Sequence, residues 1–189
     1  MKYPNGIKKK ITPSNINYKN RGMTLESDLN ETNEYYREID KAYIYKKPTP
    51  IKITKVDYPS RDKAVIKEAF FTIPSTTDYN GIYKGKYIDF EAKETKSTTS
   101  FPLANIHSHQ IKHITNIYNH QGIVFLIIRF SNLNETFLLL GKDFLDFIAK
   151  EKRCSIPISY FRKKGYLIKD NYRPRLDYLK IIDQIIGGI

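Results

Sequence analysis

The chain has 189 residues, 40% of them apolar, and a single cysteine, Cys154. That length and composition suit one domain with a real core, and the lone cysteine excludes an internal disulfide and fits a reducing cytoplasm. No apolar run approaches the roughly 20 residues a membrane helix needs, and the net charge of +12 favours a polyanionic partner, chiefly nucleic acid or anionic lipid.

The opening MKYPNGIKKK lacks the apolar core of a signal peptide, which argues against export. Residues 1–20 read as a flexible basic arm, with Pro4, Gly6 and Pro13 and little apolar periodicity. From Met1 to Arg21 there are six Lys or Arg and no Asp or Glu, half of the net charge. No basic amphipathic helix favours a membrane. The competing reading of the charge is a lysine-rich soluble protein kept monodisperse by repulsion.

A helix is predicted from about Met23 to Lys41, capped by Thr24 or Ser27, with Glu26, Asp28 and Glu31 at the positive end of its dipole. A short strand, 42–45, follows. KKPTP, 46–50, breaks regular structure. IKITKVD then alternates like a strand, and KAVIKEAFFTI, 63–73, is ambiguous between strand and helix. The proline-bounded basic segment 48–74 is either a projecting insertion or two more core strands. DYNGIYKGKYIDFEAKET reads as a hairpin with Gly85 in its turn. A helix opens soon after Pro102, at about Leu103, and Gly122 ends it. GIVFLIIRF is a continuous apolar run, as in a central strand covered on both faces. Asn132 to Asn134 turn it into the strand ETFLLL. KDFLDFIAKEK is an amphipathic helix, 152–175 is basic without a clear pattern, and 176–186 forms a last helix.

The chemistry concentrates in YIDFEAKET. Period two puts Glu91 and Lys93 on one face of the strand and Ile88, Phe90 and Ala92 on the other. Hairpin pairing brings Asp78, thirteen residues before Glu91, to the neighbouring strand. Two converging carboxylates suit Mg²⁺, a hard cation held by few protein carboxylates plus water and phosphate. Lys93 would add positive charge where a phosphodiester gathers negative charge during hydrolysis. The competing reading is a surface salt bridge on a half-exposed strand. Gln110, with Ile106 and Ile114 four residues to either side, lies on the buried stripe of its helix. A buried amide needs a partner, either a metal or its water, or a backbone carbonyl. The four histidines, His107, His109, His113 and His120, all fall in this helix. HQIKH has Gln where a zinc protease needs Glu, so zinc is not expected.

NRGMTLESDLNETNEYY, KKPTPIKITKVDYPSRDKAVIKEAFF, STTDYNGIYKGKYIDFEAKET and SFPLANIHSHQIKH together resemble the RecU-type Holliday junction resolvases, within the PD-(D/E)xK nuclease superfamily. The resemblance is dense from about Asn20 to His113. Beyond Gly122 it rests on GIVFLII and YRPRLDYLKIID. It implies an α/β fold with a mixed central β-sheet flanked by helices, a restriction-endonuclease-like core, and a stalk at about 48–74 projecting from a single nuclease domain, 21–189. It implies a Mg²⁺-dependent homodimer that resolves four-way junction DNA by paired nicks in recombination and repair. Thr76, Asp78, Glu91 and Gln110 match the family's metal-binding positions, and Lys93 matches the lysine that stabilises the transition state. Thr77 stands where the wider superfamily has Pro.

A two-fold junction suits a two-fold dimer. Arg21, Lys52, Lys55, Arg61 and Lys63 would supply phosphate contacts. Tyr58 and Tyr79 would stack on unpaired bases, packing being the competing use. Recombinase or branch-migration proteins are further candidate partners, and the expected location is the cytoplasm. Two other functions stay open: a restriction-type duplex endonuclease, and a non-catalytic branched-DNA-binding accessory protein.

Overall fold

The computed structural model describes residues 24–72 and 76–187. The basic arm, with Arg21, lies outside the described residues. Among them no helix is long and apolar enough to cross a membrane.

A six-stranded mixed sheet organises the chain. It contains β1 (Tyr43–Lys46), β4 (Tyr79–Tyr83), β5 (Lys86–Thr95), β7 (Ile123–Phe130), β8 (Glu135–Leu140) and β10 (Tyr166–Ile168), in the order β1-β4-β5-β7-β8-β10. Only β5 and β7 run parallel. The crossover between them holds β6 (Ser100–Pro102) and α2 (Ser108–Asn119), as a parallel pair requires.

Alternation along the central strands assigns each face its helices. Phe90, Phe125 and Ile127 pack with Leu25, Leu29 and Tyr36 of α1 (Leu25–Glu38) and with Leu179 and Ile182 of α5 (Leu179–Ile186). Leu126 and Ile128 pack on the opposite face, with Ile114 of α2, Phe144 of α3 (Gly141–Lys150) and Phe161 of α4 (Ile158–Lys164). The strand β7 is therefore apolar throughout because both of its faces are covered.

Local signals account for most boundaries. The Thr24 hydroxyl accepts from Ser27 N–H at the start of α1, an N-cap of the usual kind. This helix ends three residues earlier than expected. The β4–β5 hairpin turns on Lys84 and Gly85, at φ 48° and 71°, both left-handed as a type I′ turn demands. Gly81 on β4 lies so close to β1 that a Cβ would sit 2.1 Å from the Tyr43 carbonyl oxygen.

Two expectations about α2 need correction. The helix begins at Ser108, after a 3₁₀ turn at Leu103–Asn105 and an extended Ile106. His107 is thus its N-cap and His120 its C-cap, leaving only two histidines within it. Gly122 does not take the left-handed position at its end. Gln121 does, at φ 63°, with Gln121 N–H on the Tyr118 carbonyl and Gly122 N–H on the Ile117 carbonyl, a Schellman pattern. The stretch 152–175 is also more ordered than its sequence suggests: it holds β9 (Ser155–Pro157), α4 and β10. Strand β9 pairs with β6.

The segment after KKPTP forms a separate hairpin of β2 (Ile51–Asp57) and β3 (Val65–Phe71), joined by a 3₁₀ turn at Arg61–Lys63. It pairs with no strand of the main sheet, and every residue of both strands is exposed. The ambiguous 63–73 run is thus strand over Val65–Phe71, and the hairpin lies outside the main sheet.

Candidate functional site

Strand β5 carries the candidate site residues Glu91 and Lys93 at the point where β4 enters the sheet. Tyr79 pairs with Phe90, so Asp78, one residue earlier, stands opposite Glu91. The Asp78 carboxylate accepts weakly from Ala92 N–H at 3.4 Å, and its carbonyl accepts from Lys47 N–H at 2.8 Å.

Glu91 is fully buried. Its Oε1 accepts from Gln110 Nε2 at 2.7 Å and pairs with Lys93 Nζ at 2.6 Å. Its Oε2 is buried with no hydrogen-bond donor among the described residues. Burial, reinforced by the Asp78 charge, pushes the Glu91 carboxyl from its ordinary 4.5 up to about 7, against the downward pull of Lys93. A buried carboxylate oxygen with no donor is costly. A second carboxylate beside it makes the cost larger, unless a cation neutralises both.

Gln110 points to the sheet as expected, but for a partly different reason. Ile114 shares its helical stripe, whereas Ile106 precedes the helix. Both ends of the Gln110 amide are engaged: Nε2 on Glu91, and Oε1 accepting from His107 N–H at 2.9 Å. In this conformation the side chain orients Glu91. Thr76 and Asp78 line an open cleft of about 380 Å³ together with Lys46, Lys93, His109 and Gln110. A smaller adjoining cleft, about 210 Å³, shares Asp78 and Lys93 and reaches Ala92 and Glu94.

The histidines do not form a zinc pair. His113 Nε2 lies 3.2 Å from Asp89, while the His109 ring stacks on His107 at 5.5 Å. Among the described residues no group of three or more His, Cys, Asp or Glu converges as a metal cage. The donors at Asp78, Glu91 and Thr76 are all oxygens, and the unpartnered Glu91 Oε2 fits a hard divalent cation.

The proposed DNA contacts divide sharply. Lys52 and Lys55 on β2, and Arg61 and Lys63 at the hairpin tip, are exposed and make no ion pair among the described residues. Tyr79 must be corrected. It is 1% exposed, its ring stacks on Phe90 at 4.8 Å, and its hydroxyl donates to Asn30. No face of that ring is free for a base. Tyr58, near the tip, is 64% exposed.

Four residues at the site escaped the sequence reading: Lys46 and Lys47, which line the larger cleft, and Glu26 and Asp89. Glu26 on α1 borders both clefts and pairs with Lys46 at 2.5 Å. Asp89 shares the face of Glu91 and is fully buried. For Asp89 the signal was available, since 89, 91 and 93 alternate together.

The family model described as Recombination protein U matches residues 20–184. A "Holliday junction resolvase RecU" of Geobacillus sp. (strain WCH70) is 52% identical over 194 residues, covering 97% of this chain and 96% of the relative. One from Staphylococcus aureus (strain JH9) is 52% identical over 200 residues, covering 98% and 96%. Among solved structures, Archaeoglobus fulgidus Hjc, a Holliday junction resolvase, aligns with a TM-score of 0.39 and 8% identity over 71% of this chain and 93% of the other. The family-model match over most of the length, and relatives at 52% identity, show that the chain belongs to the Recombination protein U (RecU) family.

Proposed function

We propose that this protein is a Mg²⁺-dependent endonuclease that resolves Holliday junctions in recombination and repair. The observation that carries the reading is the state of Glu91. One carboxylate oxygen is held by Lys93 and Gln110, and the other is buried without a partner beside Asp78. Such an arrangement is poor for stability alone and suited to a cation.

Asp78 and Glu91 would hold the metal, with Thr76 and Gln110 at its margin. A divalent cation there supplies a Lewis acid for the scissile phosphate and a more acidic water. Lys93 holds Glu91 and stands on the cleft, where its charge offsets negative charge that develops at phosphorus. Lys46, also on the cleft, would draw the backbone in.

The exposed hairpin is the proposed stalk. Lys52, Lys55, Arg61 and Lys63 would contact phosphates, and Tyr58 would stack at the crossover. An isolated two-stranded hairpin is marginal in water, and Ile51, Ile53, Val65 and Phe71 are exposed on this one. That supports a homodimer in which a second copy covers the stalk and places the second site for a paired nick. Action on chromosomal DNA and a lone free cysteine are consistent with the cytoplasm.

The test is cleavage of a labelled synthetic four-way junction against matched linear duplex, with Mg²⁺ or EDTA. Paired symmetric nicks confined to the junction and to Mg²⁺ are expected. Cutting of linear duplex at one site would replace the reading with a restriction-type nuclease. Tight junction binding without a cut in any divalent metal would replace it with a binding-only accessory protein.

A further inference from the structure

Asp89 lies two residues before Glu91 on the same face of β5, yet its environment is the reverse. Where Glu91 leaves an oxygen without a partner, Asp89 is saturated. Its Oδ2 meets Lys47 Nζ at 2.8 Å, the Tyr87 hydroxyl at 2.9 Å and His113 Nε2 at 3.2 Å, and its Oδ1 accepts from the Thr77 hydroxyl. The carboxylate is 0% exposed.

Tyr87 lies on β5 itself, but the other three partners come from different parts of the chain, and their positions explain the cost of burying this charge. Lys47 follows β1 and directly precedes Pro48, where the chain leaves for the stalk. Thr77 sits on the returning segment, between Thr76 and Asp78. His113 belongs to α2, one turn after Gln110. Lys47 closes the set: its Nζ also donates to the Thr77 hydroxyl at 3.0 Å, and its N–H to the Asp78 carbonyl at 2.8 Å. One carboxylate therefore ties both feet of the stalk, the Asp78 segment and the Gln110 helix to the strand that bears Glu91.

We infer that Asp89, acting through Lys47 and Thr77, is a positioning residue for the metal site. It fixes Asp78 against Glu91 and anchors the stalk to the same strand. The inference rests on the nuclease reading, because it assigns Asp89 no contact with substrate. A hydrophobic residue would pack a sheet position more cheaply than a buried acid. Outer partners of metal ligands typically change affinity or activity by about 10–100-fold when removed.

The test compares wild type, Asp89→Asn and Lys47→Met in three measurements. The first is Mn²⁺ binding to the protein without DNA, by calorimetry. The second is the Mg²⁺ dependence of single-turnover junction cleavage, and the third is junction affinity in EDTA. Asp89→Asn keeps the shape but removes the charge that holds Lys47. Mn²⁺ affinity is expected to fall about tenfold or more, with the Mg²⁺ midpoint rising in parallel. Junction affinity should stay within about threefold of wild type. Lys47→Met should act in the same direction and add little in the double variant, and it remains informative if Asp89→Asn does not fold. Unchanged Mn²⁺ affinity in folded single variants would overturn the inference. So would a lowered melting temperature with metal binding intact, which would make Asp89 merely structural. If wild type itself cuts no junction, the nuclease reading fails; if wild type cuts and the variants match it, only this inference fails.

Discussion

Two antiparallel hairpins with similar sequence character have opposite fates in this chain. The β4–β5 hairpin lies between β1 and β7, and its Tyr79 and Phe90 are completely buried. The β2–β3 hairpin pairs with no other strand among the described residues and leaves every residue of both strands in solvent. Alternating apolar residues build a strand in both cases. Burial depends on which other elements arrive, and that separates the work of the two hairpins. The enclosed one holds desolvated carboxylates, whose electrostatics are strong because water is excluded. The exposed one carries Lys52, Lys55, Arg61 and Lys63, which make no ion pair among the described residues and suit long-range, salt-screened contact with phosphate.

The sharpest way to break this division is to disable the enclosed hairpin's chemistry and watch binding. Glu91→Gln or Lys93→Ala should reduce junction cleavage on the order of 10²–10³-fold or more, with junction affinity in EDTA nearly unchanged. Lost binding in a folded variant would mean that the two hairpins are not separate in function.

A second test uses pH. Folding raises the Glu91 pKa from 4.5 to about 7, so the folded state holds this proton more tightly than the unfolded state does. The resulting stabilisation is full below about pH 4.5 and is lost as pH rises through 7. In EDTA, wild type should therefore lose stability over that window relative to Glu91→Gln, by something on the order of 3 kcal/mol. Urea unfolding of both proteins between pH 4.5 and 7.5 measures it; parallel curves would show that the carboxylate is better solvated than its burial implies.

The packing of the enclosed hairpin gives a third. Gly81→Ala places a methyl against the Tyr43 carbonyl and should cost about 1–3 kcal/mol, read as a lower melting temperature. A substitution on the stalk, Ile53→Ala, where the side chain is exposed in the single chain, should lower the melting temperature far less than Gly81→Ala. The smallest expected effect belongs to the stalk cations. Lys52→Ala with Lys55→Ala should weaken junction binding severalfold and lower the salt slope by about one per lost contact, without altering the cleavage rate of bound junction. An unchanged salt slope would remove those two lysines from the DNA interface.

Much of the site was legible because its geometry is local. Period-two alternation assigns Glu91 and Lys93 to one face, and the hairpin register brings Asp78 opposite Glu91. Tyr79 was misread although the signal was present. It pairs with Phe90, whose inward direction the same alternation predicts, and cross-strand partners share a face. The start of α2 was misread because apolar spacing does not distinguish an extended Ile106 from a helical one. The stretch 152–175 lacked periodicity because its elements are short and take their shape from β6 and β8.

The amino-acid sequence by itself determined the β4–β5 hairpin with its turn at Gly85, the strands β7 and β8, the region where α1 starts, and the placing of Glu91 and Lys93 on one face with Asp78 on the neighbouring strand. These follow from backbone preferences and side-chain periodicity over a few residues. Only the tertiary structure decided that Glu91 keeps one oxygen without a partner while Asp89, two residues away, is saturated. Their partners lie up to 42 residues distant, as Lys47 does from Asp89. Burial and charge pairing at that separation depend on how the sheet and α2 close around the strand, which no local pattern encodes.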